Sequence, residues 1–87
     1  MKYQIVIEKA AEKFILKQSK QDRDRIILAI YQLPEQGDIK ALQGKKSKGM
    51  FRLRVGDYRI IYTVDGGKLV VRVVDAGNRG QIYKRYQ

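Results

Sequence analysis

The sequence predicts an α+β domain: an N-terminal strand and a helical hairpin packed on a mainly antiparallel four-stranded sheet, in the order β-α-α-β-β-β. Three observations predict it. Apolar residues change period from two to about 3.6 after the first seven positions. A Ser/Asp pair and a lone proline bracket a second helical stretch. Three alternating apolar segments, separated by glycine-rich turns, then fill most of the C-terminal half.

Residues 2–7 (KYQIVI) alternate with Tyr3, Ile5 and Ile7 on one face, as a half-buried strand does. Over residues 8–18 the spacing becomes helical: Ala10, Ala11, Phe14, Ile15 and Gln18 share a side, and Lys and Glu fill the other. Ser19 suits an N-cap with Asp22 in capping-box position, and Ile26, Ile27, Ile30 and Leu33 form the apolar stripe of a second helix that must stop near Pro34. Helices joined so tightly form an antiparallel hairpin.

Pro34–Gly49 reads as a loop anchored by Leu42. Phe51, Leu53 and Val55 then alternate with Arg52 and Arg54, and Gly56-Asp57 turns the chain. In the next strand Tyr58, Ile60, Tyr62 and Val64 face one way and Arg59, Ile61 and Thr63 the other, which makes the two tyrosines core residues. Asp65-Gly66-Gly67 marks a hairpin, and Leu69–Val74 is apolar on both faces except at Arg72, as an interior strand is. Gly77-Asn78-Arg79-Gly80 interrupts the pattern, and Gln81–Tyr86 reads as a short helical turn or an extended tail. With the hairpin on one face, Arg52, Arg54 and Arg59 stand together on the other as a cationic floor.

The 87 residues suit one domain spanning 1–87. They contain no Cys and no His, so disulfides, zinc–thiolate sites and the commonest general base are all absent. No metal and no cofactor are expected, and any chemistry must run on Arg, Lys, Tyr, Ser, Thr or carboxylates. No apolar run reaches the roughly 20 residues that cross a bilayer, and the N-terminal apolar stretch is too short for a signal-peptide core. A cytoplasmic protein without a membrane partner is the expectation.

Net charge is +10, unevenly placed. Residues 1–39 carry seven basic and six acidic side chains, whereas 40–59 carry seven basic residues against Asp57 alone. A one-sided positive field favours a polyanionic partner, although an acidic protein fits it too. Lys45, Lys46 and Lys48 lie in the loop and suit general attraction to phosphates.

The order of elements, the Leu42-x-Gly44 segment, the run Phe51-Arg52-Leu53-Arg54-Val55-Gly56-Asp57-Tyr58-Arg59-Ile60-Ile61-Tyr62, and the late Gly77-Asn78-Arg79 followed by Tyr83 resemble the RelE/ParE toxin superfamily over essentially the whole chain. The pairing of Arg79 with Tyr83 points within it to the RelE-like mRNA interferases. That resemblance implies the toxin of a type II toxin–antitoxin system: a metal-independent, ribosome-dependent endoribonuclease that cuts mRNA in the ribosomal A site. It implies a cognate, RelB-like antitoxin as partner, besides the ribosome and its mRNA. Carried over by position, Arg52 and Arg54 bind the RNA backbone, Arg59 meets the scissile phosphate, Arg79 is a second active-site arginine, and Tyr83 is the C-terminal catalytic tyrosine. Three features depart from the pattern: Asn78 where many relatives have a basic residue or His, a short Arg79–Tyr83 spacing, and Arg for Lys at 52 and 54.

Arginine suits stabilisation of a phosphorane, because its planar fork matches two phosphate oxygens, but it stays protonated and cannot be the base. Tyr83 is the candidate base, since neighbouring cations favour its phenolate; stacking on a nucleobase is the other role open to it. Two other functions fit the same resemblance: a ParE-like, non-catalytic inhibitor of DNA gyrase, and an inactive RNA-binding relative.

Overall fold

The computed structural model describes residues 2–86, and the side chains of Lys46 and Tyr83 lie outside the described set. In chain order the elements are β1 (Gln4–Ile7), α1 (Lys9–Leu16), α2 (Lys20–Tyr31), β2 (Asp38–Ala41), a 3₁₀ turn (Lys45–Ser47), β3 (Phe51–Val55), β4 (Tyr58–Asp65), β5 (Val70–Asn78) and α3 (Arg79–Arg85). One five-stranded sheet runs β1-β5-β4-β3-β2, with β1 parallel to β5 and the remaining pairs antiparallel.

The helical hairpin covers one face, as its apolar periodicity requires. Ala11, Ile15, Ile26, Ile30 and Leu33 pack there against Leu53, Ile60, Tyr62, Val71, Val73 and Ala76 in one buried cluster. Ala10 departs from the predicted stripe and is exposed. The Ser19 hydroxyl accepts the Asp22 N–H at 3.3 Å and caps α2. The Asp22 carboxylate accepts the Tyr58 hydroxyl at 2.6 Å, tying the start of α2 to the start of β4.

The sheet has one more strand than the sequence pattern predicts. β2 lies inside the stretch read as a loop, pairing with β3 through Asp38↔Arg54, Ile39↔Leu53 and Lys40↔Arg52. It has four residues and one apolar anchor, Ile39, too short a run for alternation to stand out. Its charged residues suit a sheet edge, where they oppose pairing with other chains.

The interior strand is longer than Leu69–Val74: β5 continues to Asn78, through the glycine that reads as a break. It also carries a register shift. Ile61 pairs with Asp75 but Tyr62 pairs with Val73, so Val74 is the extra residue of a bulge. Side chains of paired residues share a face, so Val71 and Val73 point into the helical core with Val64 and Tyr62. Asp75, of the same numerical parity, emerges on the opposite face beside Ile61. Without that one-residue insertion a carboxylate would enter the apolar core.

Candidate functional site on the sheet face opposite the helical hairpin

The register places two cross-strand rows on the face away from α1 and α2. One row reads Lys40–Arg52–Ile61–Asp75 and the next Asp38–Arg54–Arg59–Gly77. The predicted cationic floor is therefore assembled by strand pairing: Arg54 and Arg59 are direct cross-strand neighbours, and Arg52 lies two residues along β3.

The three arginines have different surroundings. Arg59 is only 5% exposed, and its Nη1 donates to the carbonyls of Gly56 at 2.7 Å and Tyr58 at 3.0 Å. Arg54 is open, with half of its side chain accessible, and its Nε forms an ion pair with Asp38 Oδ2 at 2.6 Å. Arg52 has an 11% exposed side chain whose Nη2 lies 3.5 Å from the other oxygen of the same Asp38 carboxylate.

Arg79 opens α3, is exposed, and donates its backbone N–H to the carbonyl of Asp57 at 2.8 Å. That bond puts it at the β3–β4 turn, the end of the sheet where Arg54 and Arg59 pair. Tyr83 belongs to α3, but its side chain is outside the described residues. Lys45 and Lys48 are exposed in and just after the 3₁₀ turn, and the Lys46 side chain is likewise outside the described set.

The C-terminal segment, read from sequence as a turn or a tail, is a helix docked on this face. Ile82 is fully buried, as is Ile61, and a Cβ on Gly77 would stand 3.2 Å from Ile82 Cδ1. The lack of a side chain at Gly77 is what lets α3 lie this close to β5. Polar contacts complete the docking. Asp75 is 6% exposed and its Oδ2 accepts Arg85 Nη1 at 2.8 Å and the Tyr86 hydroxyl at 3.0 Å. The buried Ser47 hydroxyl donates to the Tyr86 carbonyl at 3.0 Å, which joins the 3₁₀ turn to the end of α3.

Sequence reasoning did not single out Asp38, Ser47, Asp75, Arg85 or Tyr86. Asp75 left one trace: it is the one carboxylate within the β5 sequence VVRVVDAGN. Tyr86 is not suited to take a proton. Burial, followed by its hydrogen bond to Asp75, pushes its phenol up to about 12, so it remains a protonated donor. Among the described residues no cluster of Asp and Glu could hold a metal ion.

The sequence model of the ParE toxin of type II toxin–antitoxin systems (parDE) matches residues 5–83. The chain belongs to the ParE toxin family.

Its fold within the wider RelE/ParE superfamily is that of RelE toxins. The archaeal RelE of a RelE–RelB complex from Pyrococcus horikoshii is 27% identical, with 93% of this chain and 99% of that chain covered at a TM-score of 0.72. A RelB–RelE complex from Methanococcus jannaschii also gives 27% identity, covering 94% and 99% at a TM-score of 0.66. The toxin–antitoxin complex RelBE2 from Mycobacterium tuberculosis, at 19% identity, shares the fold with a TM-score of 0.76 over 91% of this chain and 100% of that chain. No curated protein matches this ParE-family chain in sequence.

Proposed function

We propose that this toxin is a ribosome-dependent mRNA endoribonuclease that works on the sheet face described above. One observation carries the reading: strand register puts Arg54 beside Arg59, with Arg52 next along, and the Asp57–Arg79 backbone bond adds a fourth arginine at the same end of the sheet. Such a cluster suits a reaction in which a ribose 2′-oxygen attacks the adjacent phosphorus and the 5′-oxygen leaves. The products are a 2′,3′-cyclic phosphate and a 5′-hydroxyl.

The residues divide the work by exposure. Arg54 and Arg79 are open and suit direct contact with phosphate oxygens. Arg59, held by backbone carbonyls, stabilises developing negative charge chiefly through its field, which is strengthened where water is excluded. Tyr83 either removes the 2′-proton or stacks on a base. Tyr86 takes no part in proton transfer, because its phenol is committed to Asp75. A site with no His gains from external positioning, which contributes up to about 7–11 kcal/mol in well-aligned reactions; the ribosome supplies that here. A RelB-like antitoxin in the cytoplasm would keep the toxin silent, in keeping with the RelB-bound relatives.

A second reading is favoured by the family match itself. A ParE-like inhibitor of DNA gyrase would use the same fold without catalysis. Primer extension on mRNA in a purified translation system, run with and without ribosomes beside a gyrase supercoiling assay, separates the two. Ribosome-dependent cuts that Arg79→Ala abolishes support the nuclease. Tyr83→Phe then assigns Tyr83: loss of cutting indicates proton transfer, and retained cutting indicates stacking. Intact mRNA together with blocked supercoiling would favour the gyrase reading instead.

A further inference from the structure

Asp38 is the acid set into the row that holds Arg54 and Arg59, and its placement is built by the backbone. Gly37 precedes it at φ +135°, and a Cβ at Gly37 would come within 2.7 Å of Leu53 Cδ1. Only glycine lets β2 close on β3 there and bring Asp38 into register with Arg54. The carboxylate then serves two guanidinium groups from alternate residues of one strand, Nε of Arg54 at 2.6 Å and Nη2 of Arg52 at 3.5 Å. Asp75, on the same face, is turned to Arg85 and Tyr86, and Glu8 is paired with Arg72 at 3.6 Å.

A carboxylate and a phosphate offer guanidinium the same thing, paired anionic oxygens at hydrogen-bonding distance. We propose that Asp38 is an internal counter-anion occupying the phosphate place of Arg52 and Arg54, which an RNA phosphate must displace in order to bind. The inference rests on the reading of this face as RNA-binding. It goes beyond that reading by giving Asp38 a role as a positioning residue that sets affinity. In the free chain the two arginines are held in place and partly neutralised. When phosphate arrives, Asp38 turns into solvent, which its 44% side-chain exposure permits.

The test is binding of a fluorescein-labelled single-stranded RNA 12-mer to the full chain, by anisotropy at several KCl concentrations. Asp38→Asn is expected to tighten binding about fivefold, the size of one exposed ion pair. Asp38→Ser should act in the same direction, and Asp38→Glu should restore the starting affinity. Asp24→Asn removes an equal charge from the exposed Lys20–Asp24 pair on the helical side and should change little. In an Arg54→Ala background the gain from Asp38→Asn should shrink to what freeing Arg52 alone gives. Equal tightening by Asp24→Asn would reduce the effect to net charge and overturn the inference. Weaker binding by Asp38→Asn would overturn it too, by showing that the carboxylate only organises the arginines. If Arg54→Ala left wild-type binding unchanged, the RNA-binding reading of the face would fall, and the inference with it. Arg54-dependent binding that Asp38→Asn does not alter would overturn the inference alone.

Discussion

The two faces of the sheet are held by different physics. Under the helical hairpin, a dozen buried side chains form one apolar cluster, and strand and helix periodicity agree on its members except Ala76, which the bulge at Val74 brings into phase. On the opposite face, one short helix is docked by the buried Ile82 against Gly77, and by polar contacts to Asp75 and Ser47. The first face stores most of the stability, because apolar burial contributes about 25 cal/mol per Å². The second holds the charges and depends on a few specific partners. A domain this small can therefore lose order on its charged face while its core stays folded.

The contrast is sharpest in what truncation should do. Ile26→Ala, at a fully buried site of the helical core, is expected to cost about 2–5 kcal/mol, a large part of the usual 5–15 kcal/mol of a domain. Urea unfolding measures it, and a cost below about 1 kcal/mol would mean that the core is not the main store of stability. Asp75→Ala should cost less, about 1–3 kcal/mol, because it leaves the Tyr86 hydroxyl and the Arg85 guanidinium without their acceptor. Its effect should also be local. Hydrogen exchange should speed up for α3 amides and remain slow in β4 and β5. Uniform loss of protection would show instead that the two faces unfold together.

Alkaline titration provides a smaller effect that touches both faces. Burial pushes the Tyr62 phenol up to about 12 in the helical core, and burial with the Asp75 bond does the same to Tyr86 on the other face. Each group holds its proton more tightly when folded than in the unfolded chain, where it titrates near 10. Their contribution is therefore complete below pH 10 and is lost as pH rises from 10 through 12. Stability measured across that window should fall, and Tyr86→Phe should make the fall shallower. An unchanged slope in Tyr86→Phe would mean that Tyr86 is as exposed as in the unfolded chain.

The difference between the faces also explains which features were legible in the sequence. The helical face was readable because its code is redundant: Ile26, Ile30 and Leu33 repeat at helical spacing, and Leu53, Ile60 and Tyr62 alternate in strands that must meet them. The shared side of Arg52, Arg54 and Arg59 followed from the same alternation. What escaped depends on single residues. Val74, as a bulge, reverses the face of Asp75, and no periodicity announces one extra residue. β2 escaped because four residues with Ile39 and the small Ala41 as apolar side chains give too little pattern. The burial of Arg59 escaped because alternation tells which face a side chain takes, not what later covers it, and the docked α3 appeared only as an interrupted tail.

The central claim is that the arginine face, and not the positive charge of the chain as a whole, acts on mRNA. Its most direct test compares two toxins of equal net charge in ribosome-dependent primer extension. One carries Arg54→Ala with Arg79→Ala on the arginine face, and the other Lys13→Ala with Lys20→Ala on the helical hairpin. The account predicts cuts at wild-type positions from the second protein and none from the first. Equal cutting by both folded proteins would contradict it.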